Sequence, residues 1–166
     1  MTTVLELNPE HVKAVLKLIN EGPYFRHLSM VVTDIGIGYS LVELTIGNEH
    51  FNPFGGVHGG VYASVIDTAA YWAAYCDLNE DVGFITVDVK VDLLAPATAG
   101  KMITRGRRIK VGKTMCLAEA TAFDEADKCL AHGTSKMVVT PGLQTIKGGA
   151  DFMGFGVLPP KYVVPV

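Results

Sequence analysis

In the stretch 52–74, NPFGGVHGGVYASVIDTAAYWAA, Asp67 is the one carboxylate, and it follows a glycine-rich turn that carries Asn52, His58, Gly59 and Gly60. Taking a lone carboxylate out of water costs several kcal/mol unless it is hydrogen-bonded or neutralised. Asp67 is therefore either part of a structural network or a working group. Gly59 and Gly60, if they open a helix, expose unpaired N–H donors at the positive end of its dipole, which suits an oxyanion as well as a tight turn with no ligand.

The elements around these residues decide what they can reach. Val61, Val65, Ile66, Ala69, Ala70, Ala73 and Ala74 interleave with Tyr62, Tyr71 and Trp72, so nearly every face of a 3.6-residue period is apolar. Such a pattern predicts a buried helix from about His58 to Asn79. Eight residues separate Gly59 from Asp67, roughly 12 Å at the helical rise, too far for both to act on one carbonyl group. Two such helices running antiparallel across a two-fold axis would set the glycine end of one beside the aspartate of the other. The chemistry thus predicts a homodimer with two identical sites.

The remaining chain supplies a frame. Asn8-Pro9 and the stripe Val12, Val15, Leu16 and Ile19 predict an amphipathic helix over about 9–21. Strand patterns follow at Met30–Gly36, Tyr39–Ile46, Phe84–Leu94, Lys101–Val111, Thr114–Asp124 and Cys129–Val139. In Phe84–Leu94, Ile85, Val87, Val89, Val91 and Leu93 read as one buried face, with Thr86, Asp88 and Lys90 on the polar side. Helix, two strands, helix and a meander of four strands give an α+β fold, an antiparallel sheet around one long central helix. Residues 1–140 form that domain; 141–166, rich in Gly and Pro, form an ordered arm without a period.

The span from Asn52 to Asp67, with its N-x(5)-H-G-G-x(6)-D spacing, resembles the hotdog-fold acyl-CoA thioesterases of the phenylacetate-degradation (PaaI-like) group. The element order, the segment ITVDVKVDLLAPA and the later RRIKVGKTMCLAEATAFDE extend the resemblance over roughly Phe25 to Val139. It implies hydrolysis of a small or medium, possibly aromatic, acyl-CoA. Asp67 would be base or nucleophile, the Gly59 N–H would hold the thioester oxygen, and Asn52 would position substrate or water. Thr86 would assist the water or the carboxylate, and His58 would fix the turn or touch the thioester end. Gly60, Phe54, Tyr62, Tyr71 and Trp72 are candidates for the acyl pocket, the aromatics equally for dimer packing. Self-association as a homodimer, paired again into a homotetramer, goes with this reading; a non-catalytic acyl-CoA-binding module is the alternative.

Between Lys101 and Lys113 six basic residues occur with no acidic one. Arg107, Arg108 and Lys113 are candidates for the phosphates of coenzyme A, against the plainer reading of a solvated strand face. A net charge of −3 argues against nucleic acid as partner. Absence of a long apolar run argues against a membrane span or leader, and three unpaired-looking cysteines suit a cytoplasmic protein. Cys76, Cys116 and Cys129 lack an activating context, Ser64 lacks a nucleophile elbow, and the histidines lack ligand spacing. Neither a covalent Ser or Cys mechanism nor a metal or other cofactor is expected.

Overall fold

A computed structural model describes residues 5–164. Residues 1–4, the start of the stretch read as free of a leader, and 165–166, the end of the arm, lie outside the described residues. The short strand β1 (Glu6–Leu7) leads into α1 (Pro9–Asn20), whose N-cap Asn8 accepts the Glu10 N–H through Oδ1 at 3.1 Å. A one-turn helix, α2 (Pro23–His27), follows, then the hairpin β2 (Met30–Gly36) and β3 (Tyr39–Thr45). Next come the central helix α3 (Gly59–Tyr75) and the strands β4 (Val82–Leu93), β5 (Lys101–Val111), β6 (Met115–Phe123) and β7 (Cys129–Pro141). Helix α4 (Ile146–Met153) and β8 (Tyr162–Val163), which pairs with β1, complete the order.

Six strands form one fully antiparallel sheet in the order β2-β3-β5-β6-β7-β4, with α3 across its face. The expected meander of four is corrected to three: β5 pairs with β3, and β4 lies beyond β7. The reason lies in α3. Tyr62 on its buried side holds the β4–β5 connection, its hydroxyl accepting the Ala97 N–H at 2.9 Å and donating to the Ala95 carbonyl, so the chain crosses the helix instead of turning back.

Small residues on both sides let α3 sit close. Ala69, Ala70, Ala73 and Ala74 of α3 are fully buried, as are Ala118, Ala120 and Ala122 of β6, a strand the helix packs on. At Gly106 a Cβ would stand 2.2 Å from the Ala69 carbonyl oxygen, and Ser40 Oγ donates to that same oxygen at 2.6 Å. Any side chain at Gly106 would push the helix off the sheet.

A second correction concerns β4. Its register against β7 shifts between Thr86 and Asp88, leaving Val87 as an extra residue. Beyond this bulge the parity inverts. Thr86 joins Phe84, Val89, Val91 and Leu93 on the face shared with Met137, Ser135, Gly133 and Ala131, while Ile85, Asp88 and Lys90 lie on the other. Nor is that face covered throughout: Val89 is 36% and Leu93 57% exposed.

The arm is also more regular than expected. Thr145 caps α4 by accepting the Gly148 N–H, and Gly154 ends it in the left-handed region. Farther on, Lys161 is fully buried. Its ammonium donates to the carbonyls of Tyr75 and Leu78 at 2.6 and 2.7 Å, just past the end of α3, and lies 3.9 Å from the centre of the Tyr75 ring. His11 of α1 completes the cluster. Its Nδ1–H donates to the Pro159 carbonyl, so Nε2 accepts the Tyr75 hydroxyl proton at 2.6 Å.

Burial pulls the Lys161 pKa down to about 8, and the helix-end carbonyls and the aromatic ring favour the protonated form. Between that value and the ordinary lysine range the unfolded chain holds more protons than the folded one, so the lysine contributes stability that grows as pH rises. Urea unfolding of the parent and of Lys161→Met is expected to differ increasingly in the parent's favour from pH 8 to 10, by on the order of 3 kcal/mol at most. A pH-independent difference would count against a buried ammonium.

Candidate active site

The bulge in β4 completes the surroundings of Asp67. Thr86 Oγ1 donates to Asp67 Oδ1 at 3.1 Å, and Ser135 Oγ of β7 donates to the same oxygen at 2.9 Å. Two hydroxyls from adjacent strands thus fix the carboxylate, and Oδ2 has no hydrogen-bond partner among the described residues. Ser135 has no accessible surface, and it is absent from the sequence-derived candidates. Its signal was its parity with Ala131, Gly133 and Met137: it is the hydroxyl in the small-residue row beneath the helix.

Asp67 lines an open cavity of about 950 Å³ bordered by α1, α2, α3, β4 and α4. Along α3 its wall runs from Ala63 through Asp67, Thr68, Tyr71 and Trp72 to Tyr75. Tyr71 packs on Phe84 with ring centres 4.0 Å apart and planes tilted by 36°, and donates its hydroxyl to the Phe84 carbonyl at 3.2 Å. Burial, and then the Asp67 charge, raise its phenol pKa well above the ordinary value, so it stays a neutral donor. At the mouth, Tyr24 of α2 is hydrogen-bonded to Ser64 at 2.6 Å.

The glycine end of α3 is a separate place. His58 is the N-cap, with Nδ1 accepting the Gly60 N–H at 2.9 Å, and the His58 carbonyl accepts the Val61 N–H. The Gly59 N–H has no acceptor among the described residues. Asn52 Oδ1 accepts the N–H groups of Phe54 and Gly56 and so closes its own loop. Phe54 at the tip is 95% exposed. None of Asn52, Phe54, His58, Gly59 and Gly60 lines the Asp67 cavity.

Of the remaining candidates, Tyr62 faces the β4–β5 connection. The basic run is largely matched: Arg107 pairs with Glu119 of β6 and Lys101 with Glu43 of β3, Arg108 with Asp77 just after α3, and Arg105 with Asp127 of the β6–β7 turn. Lys113, at the β5–β6 hairpin, has no ion-pair partner among the described residues. No three His, Cys, Asp or Glu side chains converge as a metal site among the described residues. The three cysteines are free thiols, and burial raises that of Cys76 to about 11. No helix among the described residues is long and apolar enough to cross a membrane.

A family model described as thioesterase superfamily matches residues 54–131, which include the glycine turn, α3 and Thr86. The chain has the hotdog fold. Human acyl-coenzyme A thioesterase 13 is 26% identical to this hotdog chain over 135 residues, 80% of this chain and 94% of that protein. The mouse protein of the same name is 24% identical over 128 residues, 75% of this chain and 91% of its own. Among solved structures, a Haemophilus influenzae thioesterase superposes with a TM-score of 0.71 at 21% identity, covering 75% of this chain and 87% of its own. Zebrafish thioesterase superfamily member 2 gives 0.67 at 22% identity, with 77% and 95% covered. These likenesses carry the fold.

Proposed function

We propose that this hotdog domain hydrolyses acyl-CoA thioesters as a PaaI-like homodimer, with each site assembled from two copies. The observation that carries the reading is a carboxylate oriented by two hydroxyls on the wall of an apolar cavity, within a thioesterase-superfamily segment. Similarity to acyl-coenzyme A thioesterase 13 supports the substrate class.

Edge chemistry supports the dimer. At β2, Asn20 donates to the Val32 carbonyl and accepts the Val32 N–H, so its side-chain amide occupies the strand's outer bonding groups. At the other edge, β4 runs 12 residues and pairs on one side only, with apolar Val87, Val89 and Leu93 uncovered. An open edge of that length invites strand addition. Two β4 strands paired antiparallel about Val89–Lys90 set the Thr86 end of one against the Leu93 end of the other. Thr86 touches Asp67, and a Cβ at Gly59 would lie 3.2 Å from Leu93, so Asp67 of one copy meets the Gly59 N–H of its partner. A further pairing of dimers would use the outer row Ile85, Val138 and Met115, aligned across β4, β7 and β6.

In such a site water adds to the thioester carbonyl carbon while Asp67 takes its proton, and the oxyanion is held by the Gly59 N–H at the helix terminus. Collapse breaks the C–S bond, and the proton passes to the departing CoA thiolate. Asp67 adding to the carbonyl itself, with an anhydride then opened by water, gives the same products. Asn52, whose Oδ1 holds its loop, leaves its amide NH₂ for substrate or water, and His58 acts by capping the turn. Lys113 is the basic candidate open to a CoA phosphate, whereas Arg107 and Arg108 would first leave Glu119 and Asp77. Free thiols suit a cytoplasmic setting, and the chemistry calls on no metal or cofactor beyond the CoA of the substrate. A panel of acyl-CoAs with a free-thiol readout is expected to show release; acyl-CoA binding without release across the panel would favour a non-catalytic binding module.

A further inference from the structure

We infer that the C-terminal arm gauges the acyl chain, with Gly148 and Gly149 of α4 as the residues that set the accepted length. This rests on the thioesterase reading above. The cavity that holds Asp67 is bounded on its far side by the arm's Ile146, Gly148, Gly149, Phe152 and Met153, facing Leu18 and Ile19 of α1. From Asp67 to Tyr75 the α3 wall runs roughly 12 Å, apolar after Thr68 apart from the tyrosine hydroxyls, a reach suited to an extended alkyl chain and far beyond an acetyl group.

Two glycines inside an eight-residue helix need a reason, since each costs about 1 kcal/mol relative to alanine. Backbone conformation does not supply it, because neither glycine is among the residues with positive φ. Packing does not supply it either. A Cβ at Gly149 would meet only Leu18 Cδ2, at 3.8 Å, and one at Gly148 only Thr145 Oγ1, at 3.4 Å, both ordinary contacts. What the glycines do provide is room in the cavity. The wall they belong to is held at both ends. At its start the chain crosses Gly83 of β4 so closely that a Cβ there would stand 2.1 Å from the Leu143 carbonyl oxygen, and beyond it Lys161 is bound to the end of α3. A gauge works only if it does not yield, and these contacts fix it to the helix that carries Asp67.

Gly149→Leu places a branched side chain in that space, and Gly149→Ala adds only a methyl group there while favouring the helix. The ratio of kcat/KM for decanoyl-CoA over butyryl-CoA is expected to fall about tenfold or more in the leucine variant and less in the alanine variant, since one methylene can be worth a factor of ten or more. A loosened fold would lower both substrates and Tm without moving the ratio. An unchanged ratio overturns the inference. Direct binding of the same two esters keeps the outcomes separate: if no thiol is released by the parent, the thioesterase reading fails, and the gauge still predicts selective loss of decanoyl-CoA affinity in Gly149→Leu. Equal affinities for parent and variant then overturn it.

Discussion

Asp67→Asn is expected to fold as the parent does and to lose thiol release by roughly 10²–10⁴-fold, the range in which a positioned general base or nucleophile contributes. The substitution is nearly isosteric. The amide oxygen of asparagine can still accept from Thr86 and Ser135, so the two hydroxyls that hold the carboxylate stay paired and the cavity keeps its wall. Acyl-CoA binding is therefore expected to change little, and the loss to fall on kcat. Steady-state kinetics together with equilibrium binding separate the two; near-parental kcat would remove Asp67 from the chemistry.

The second large effect is at the opposite end of α3. Gly59 is the first helical residue, where an N–H has no intrahelical acceptor and where proline is favoured. His58 before it already has the extended backbone, φ −65° and ψ 139°, that a residue preceding proline adopts. Gly59→Pro therefore deletes one hydrogen-bond donor with little cost to the fold, and the flexible end of Leu93 can make way for the ring. Loss of a single oxyanion donor is worth about 10²–10³ in kcat. Tm within a few degrees of the parent, combined with that loss, is the expected pair of results. Parental kcat in a folded variant would mean that the Gly59 N–H holds no oxyanion.

The sequence made the central helix plain because its apolar period is unbroken, and residues 52–67 carried the resemblance through residue types at fixed spacing. The hairpin β2–β3 was equally legible, since both strands and their glycine turn are local. What escaped depends on partners distant in the chain. Thr86 sat with the polar residues by simple alternation, and only the ladder with β7 creates the bulge at Val87 that turns it toward Asp67. Ser135 meets Asp67 from 68 positions away. The acidic partners of Arg107 and Arg108, Glu119 and Asp77, lie outside the basic run, which made that run look like a free cationic stripe. Helix α4 was hidden by its own glycines, although Thr145 and Gly154 mark its two ends.

Everything proposed about mechanism turns on whether Gly59 of one copy serves Asp67 of the other. Co-refolding equal amounts of Asp67→Asn and Gly59→Pro, each nearly inactive alone, tests this directly. If sites are shared, half of the dimers are mixed and each mixed dimer has one intact site of two, so thiol release returns to about a quarter of the parental rate. If mixing gives only the sum of the two residual activities, each site lies within a single chain and the two-copy arrangement is wrong.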